Sequence, residues 1–374
     1  MKIGVITYYS SDDNYGQLLQ CYALQRFLKK NGHETFLIKY KEEQKLVKEK
    51  HFNILFKIKR YLSHPFVYSR LFFLQRKQAR YLQTAQNQLR QFDKFRNVNI
   101  CSTEKVYREN ELLANPPEAD AYICGSDQIW GGSFPYYLNF APKTSKKIAY
   151  AASFGGVNSF SEEYEKELKR LLTRFHMLGV REDSGVHTCH RLGFKHAIKV
   201  VDPTLLLSSN DYNEICCKQQ LNDDFIFVYL LGNPCDLKME EVYSLANKKS
   251  LKVVYVASQG QYDKYPKTWA TIGEWINYLA KAKMVITNSF HCTVFSLIYH
   301  KNFVSVPLSG EYTRMNSRIS ELLSLCGLSD HLYEQHIHID DYFNKIVSFE
   351  GFDKYLSIEV QNSKNILLDS LEND

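Results

Sequence analysis

Apolar positions along this chain fall into two rhythms, short continuous runs and stretches with an apolar residue every three or four places. Their order predicts a layered α/β protein. Lys2 to Tyr9 is a run rich in Ile, Val and Tyr that leads into the polar loop Ser10 to Gly16, the pattern of a buried strand and its turn. From Gln17 to Lys30 the residues Cys21, Leu24, Phe27 and Leu28 fall at helical spacing, Lys29 and Lys30 occupy the last turn, and Gly32 supplies the stop. Thr35 to Tyr40 reads as a second strand, so the opening segment is a right-handed βαβ unit with parallel strands.

The alternation continues with strands at Ala121–Cys124, Ile148–Ala152, Gly179–Arg181 and Ile198–Val201. A capping box at Ser159-x-x-Glu162 predicts a helix running to about Leu178 and stopped by Gly179, and a further helix covers Ser184 to Leu192. Asp202-Pro203-Thr204 breaks the last strand. A second series follows: strands at Phe225–Leu231, Leu251–Ala257, Met284–Asn288 and Phe303–Val306, with helices at Met239–Lys248, Trp275–Lys283 after a capping box at Thr271-x-x-Glu274, Thr293–Tyr299 and Ser317–Leu325. The expected organisation is an N-terminal Rossmann-like domain over 1–205, a linker over 206–224, a C-terminal Rossmann-like domain over 225–361, and a helix over 362–374 that returns to the first domain. Two such doubly wound domains face a cleft, and ligands of such sheets sit at the carboxyl ends of the strands.

Composition narrows the function classes. Apolar residues make up 44% and charged residues 24% of 374, the proportions of a globular protein, with 26 Tyr and 23 Phe. Nine cysteines are scattered with no C-x-x-C pair, so reduced thiols are expected and no metal site. No apolar run nears the about 20 residues of a membrane span, and Met1 to Thr7 lacks the features of a signal peptide, which gives a cytoplasmic expectation. The net charge of +6 is local: residues 41–96 hold 14 Lys and Arg against 4 Asp and Glu. That basic helical insertion reads either as a solvated surface or as a peripheral contact with anionic lipid at the inner face of the membrane, since Phe52, Ile54, Leu55, Phe56, Ile58, Tyr61 and Leu62 interleave with Lys57, Lys59 and Arg60. No nucleic-acid partner is expected, because no reading motif accompanies the charge.

Chemistry concentrates at strand ends. Thr287 to Thr293 joins a strand to a helix, where free N–H groups and the helix dipole favour an anion, and His291 there either donates to a phosphate and moves a proton or caps its own helix. Downstream, Arg314 and Arg318 offer guanidinium groups suited to carboxylate or phosphate, beside Lys301. In the first domain Gly125 to Trp130 follows a strand directly. Gly125 lets backbone approach a ligand, Asp127 and Gln128 offer hydrogen bonds, and Trp130 offers a stacking face for a sugar; Asp127 reads alternatively as a helix cap. Asn14-Tyr15-Gly16 holds a similar place at the first turn or is an ordinary glycine turn, and Arg181 closes another strand as a cleft residue or an ion-pair partner. No dinucleotide fingerprint, P-loop or nucleophile elbow is present.

Five ordered motifs carry a family resemblance over nearly the whole chain: Asn14-Tyr15-Gly16 with Leu19-Gln20-x-Tyr22-Ala23-Leu24, Gly125 to Trp130, Val180-Arg181-Glu182, Asp202 to Leu206, and Ser289 to Phe295. In this order they resemble the polysaccharide pyruvyl transferases. The resemblance implies a GT-B-like fold, phosphoenolpyruvate as donor and co-substrate, a sugar or lipid-linked oligosaccharide as acceptor, a cyclic ketal product and no prosthetic group. It places His291, Arg181 and Asp127 in catalysis. Ser289, His291, Arg314, Arg318 and Arg181 fall on the donor side, and Asn14, Tyr15, Gly16, Gly125, Ser126, Asp127, Gln128 and Trp130 on the acceptor side. Departures are Cys292, where Gly is commoner, and the basic insertion. Two other readings share the scaffold. One is a glycosyltransferase using a nucleotide sugar, against which the loop Ala257 to Gln261 offers no acid for a ribose; the other is a non-catalytic glycan-binding protein.

Overall fold

The structure, a computed structural model, describes residues 1–42, 90–157, 159–232, 235–261 and 263–372. Most of the basic insertion, including the segment Phe52 to Leu62 read as a lipid contact, lies outside the described residues.

Six parallel strands form the first sheet: β1 (Lys2–Ile6), β2 (Glu34–Leu37), β3 (Ala121–Cys124), β4 (Lys146–Ala152), β5 (Met177–Val180) and β6 (Ile198–Lys199), in the order β2-β1-β3-β4-β5-β6. Four more form the second: β7 (Phe225–Tyr229), β8 (Lys252–Tyr255), β9 (Met284–Thr287) and β10 (Phe303–Ser305), in the order β10-β9-β7-β8. Strands β3, β5, β7 and β9 are buried at every position, as expected of parallel strands covered on both faces. In each sheet the first strand lies between the second and third, so the winding reverses beside β1 and beside β7. Such switch points open a crevice at the strand ends; three of the sequence motifs sit in the loops after β1, β3 and β9, and the other two follow β5 and β6.

Two features depart from the sequence reading. Ser161, not Ser159, caps the helix Glu162–Leu172 by accepting from the Tyr164 N–H. The helix ends at Leu172, and Gly179 is not its stop but lies inside β5. A Cβ at Gly179 would meet the Ala149 carbonyl at 2.9 Å and Val200 at 3.0 Å, so close strand packing explains the glycine.

The two sheets share a continuous buried cluster. At its centre Tyr15, from the helix Tyr15–Lys30, stacks on Trp275 at 5.5 Å and donates to the Ala270 carbonyl at 2.6 Å. Trp275 in turn meets Tyr229 and Phe295 edge-on at 5.6 and 5.4 Å. The first helix therefore packs across onto the second domain. The helix Gln361–Glu372 crosses the other way: Ser363 Oγ accepts from the Val201 N–H, and Lys146 Nζ donates to the Leu371 carbonyl. Among the described residues no helix is long and apolar enough to cross a membrane.

Candidate active site

Asp202 follows β6 and is 1% exposed. Its Oδ1 accepts from Thr204 N–H at 3.0 Å and from Thr204 Oγ1 at 2.7 Å, which starts the short 3₁₀ turn Pro203–Leu206. Its Oδ2 accepts from Ser126 Oγ at 2.7 Å and Arg181 Nη1 at 3.1 Å, and lies 3.6 Å from His291 Nε2. Burial pushes this carboxyl up, but His291, Arg181 and Thr204 outweigh burial and hold it well below the usual carboxylate range. One carboxylate thus joins motifs from both domains.

Arg181 leaves the end of β5 and is 6% exposed. Nε donates to Glu182 Oε1 at 2.9 Å and Nη1 also reaches Ser126 Oγ at 3.1 Å, while Nη2 is buried without a hydrogen-bond partner among the described residues. Arg181 and Arg318 both lie over the ring of Phe290, at 5.1 and 5.8 Å. Burial pulls the Arg318 guanidinium down, the neighbouring Arg181 charge adds to this, and its pKa falls to about 10. Two cations therefore share one aromatic ring, a contact that cation–π attraction supports.

His291 stands at the start of the helix Phe290–Ile298. The cap is Ser289, whose Oγ accepts from the Cys292 N–H, so the imidazole is free of that task. The helix starts three residues before the sequence pattern indicated, which brings His291 into its first turn. Nε2 is buried and makes no hydrogen bond among the described residues, since 3.6 Å to Asp202 is too long for one. On its other side the ring lies against Gly16. A Cβ there would come within 2.3 Å of Nδ1 and 2.7 Å of His291 Cβ, so only glycine admits this approach of the first helix.

Asp127 adopts φ +79, an uncommon conformation for a residue with a side chain, and its carboxylate acts electrostatically on both Arg181 and Arg318. Gln128 lies against Gly155, where a Cβ would meet its Oε1 at 2.7 Å. Arg314 is exposed and lies across from the loop after β4, with its side chain 3.6 Å from the Cβ position of Gly156; it does not join the buried cluster. A cavity of about 270 Å³ opens beside the arginine pair, with Arg181, Arg318, Phe290 and Asp202 in its wall. His291 is not one of its wall residues, but its Nε2 lies 3.6 Å from Asp202, which is. Among the described residues no group of three or more His, Cys, Asp or Glu could hold a metal ion.

Several sequence expectations need correction. Trp130 is no sugar platform: it is fully buried, stacks on Tyr137 at 5.4 Å and donates through Nε1 to the Tyr136 carbonyl. Tyr15 is likewise committed to the interdomain core. Gly125 is buried against Thr7 and Leu24, and Asn14 caps the first helix by accepting from the Gln17 N–H at 3.2 Å. Ser126 belongs with Arg181 and Asp202, not with an acceptor surface. Sequence reasoning assigned no role to Asp202, Glu182 or Phe290. The signal for Asp202 was present as an acid directly after a strand and at the head of a family motif, but it served there only as a strand breaker and a mark of resemblance.

The sequence profile of the polysaccharide pyruvyl transferase family matches residues 14–310. A comparison with curated protein sequences finds no match. Among solved structures, the chain is similar in fold to UDP-GlcNAc 2-epimerase from Neisseria meningitidis, at 9% identity and TM-score 0.53, with both chains covered in full. The corresponding enzyme from Methanocaldococcus jannaschii aligns at 11% identity and TM-score 0.51, again over the whole of both chains. At such identity the likeness concerns the fold, which is GT-B-like with two Rossmann-like domains.

Proposed function

The chain belongs to the polysaccharide pyruvyl transferase family, and from that premise we propose that it moves the pyruvyl group of phosphoenolpyruvate onto two hydroxyls of one sugar. The product is a cyclic ketal on a surface polysaccharide or its lipid-linked precursor, and phosphate is released. The observation that supports this reading best is the pair Arg181 and Arg318 on one ring, with a buried donor on Arg181 that has no partner among the described residues. An anion seated against the pair relieves their repulsion and fills that donor, and a planar guanidinium suits a carboxylate or phosphate.

In this scheme Arg181 and Arg318 hold the donor's carboxylate and phosphate, with Arg314 and the helix start at Ser289 assisting. His291 delivers a proton to the methylene carbon, which creates an oxocarbenium-like centre at the adjacent carbon. The first sugar hydroxyl attacks that centre, the bond to phosphate breaks, and the second hydroxyl closes the ring. Two hydroxyl protons are lost: one balances the proton now on the methyl group, the other leaves with phosphate. Asp127 accepts the first of them, and Asp202 is a positioning residue that aims the imidazole.

The test is incubation of the protein with phosphoenolpyruvate and lipid-linked oligosaccharides, with phosphate release and product mass as readouts. The reading expects phosphate and ketal in equal amounts, and a drop of roughly 10²-fold or more for His291→Ala, the scale of acid–base catalysis. Phosphate release unchanged in that variant removes His291 from the mechanism.

A further inference from the structure

Resting on that reading of the arginine pair, we propose that the 270 Å³ cavity beside it seats the acceptor sugar, and that it selects a neutral or amino pyranose over a uronic acid. The cavity lies between the ends of β5 and β6, the helix Ser317–Leu325 and the C-terminal helical segment that carries Tyr355, Glu359 and Ser363. Its volume falls just under the about 300–1,000 Å³ of small-molecule pockets, which suits one sugar ring and is too small for a nucleotide sugar.

The polar groups suit a polyol. The half-buried Tyr355 makes no side-chain hydrogen bond among the described residues, and the exposed Glu359 lies in the same wall. Sugar hydroxyls both donate and accept, so one ring can satisfy the phenol and a carboxylate at once. Arg181, Phe290 and Arg318 are walls of the cavity, so a ring inside it lies beside a donor held by the guanidinium groups.

Charge decides which sugar. The lining holds three cations and five carboxylates. Arg181 is engaged by Glu182 and Asp202, and Lys199 by Asp183 and Glu321 at 2.9 and 3.3 Å, which leaves Arg318, assigned to the donor, and the exposed Glu359 without an ion pair among the described residues. A bound phosphoenolpyruvate adds negative charge next door. An anionic sugar would enter this field against like charge, whereas a neutral hydroxylated ring meets acceptors and donors.

Saturation-transfer NMR tests this with methyl β-glucopyranoside, methyl β-galactopyranoside and methyl β-glucuronide, each with phosphoenolpyruvate present. The two neutral glycosides should receive saturation from the wild-type protein, and the glucuronide should bind about tenfold more weakly or worse. Leu325 lies on the rim and is 54% exposed, so Leu325→Trp adds bulk without emptying the core; it should abolish the sugar signal and leave stabilisation by phosphoenolpyruvate intact. Tyr355→Phe, which removes one hydroxyl, should raise the sugar Kd about fivefold. Equal binding of glucuronide and glucoside, an undiminished sugar signal in Leu325→Trp, or no signal from either neutral glycoside overturns the proposal. Absence of donor stabilisation in the wild type overturns the donor reading instead, and the two failures are read from separate measurements.

Discussion

Replacing Gly16 by alanine separates folding from catalysis at a single methyl group. The new Cβ would stand 2.3 Å from His291 Nδ1, 2.4 Å from Cγ and 2.7 Å from His291 Cβ. Carbon atoms rest at about 3.5–4.0 Å, so the imidazole must retreat by about 1 Å. Because His291 Cβ is itself in conflict, turning the ring does not relieve the clash, and the start of the helix Phe290–Ile298 must shift with it. A displacement of about 1 Å at a reacting group costs on the order of 10²-fold in rate. In the opposite direction, Gly16 lies inside the helix Tyr15–Lys30, where alanine gains roughly 0.5–1 kcal/mol in helix propensity and offsets part of the clash. Gly16→Ala should therefore keep its circular dichroism spectrum and a cooperative urea transition while phosphate release from phosphoenolpyruvate and acceptor falls about 10²-fold. A folded variant within about threefold of wild-type kcat/KM would refute the placement of His291 against this helix as a catalytic requirement.

Three further outcomes follow from the same geometry. Asp202→Asn removes the anion that Arg181 and His291 share, and loss of one partner from a buried pair should cost about 3–5 kcal/mol in urea denaturation. Trp130→Ala should lose about 3–5 kcal/mol of stability as a core truncation, with acceptor KM unmoved in the folded fraction, whereas a sugar platform would show the reverse. Lys147 is 2% exposed and donates to the Pro142 and Ser145 carbonyls, and burial lowers its pKa to about 8. The unfolded chain, at about 10.4, then binds more protons between pH 8 and that value, so this group makes stability rise as pH rises across that window. The urea midpoint of the wild type should climb from pH 8 to 10 relative to Lys147→Met, and parallel curves would exclude the effect.

Much of the scaffold was legible because parallel strands buried on both faces write themselves as apolar runs such as Phe225 to Tyr229, and helix caps such as Thr271-x-x-Glu274 are local signals. Gly179 misled because a glycine demanded by packing against Ala149 looks, in sequence, like a helix stop. At the site, His291, Arg181 and Arg318 were legible as charged or titratable groups in their motifs. Trp130 and Tyr15 were not, since nothing local distinguishes an aromatic turned into the core from one turned to a cleft. The role of Asp202 was hidden for another reason: its partners Ser126, Arg181 and His291 come from three distant segments, and only the fold brings them to one carboxylate.

The most direct test of the donor site is a thermal-shift titration of the wild type and of Arg318→Ala with phosphoenolpyruvate and with UDP-N-acetylglucosamine. Phosphoenolpyruvate should raise the wild-type midpoint in a saturable way, Arg318→Ala should weaken this by about tenfold or more in Kd, and the nucleotide sugar should have no effect on either. Stabilisation by the nucleotide sugar with indifference to phosphoenolpyruvate would contradict this reading.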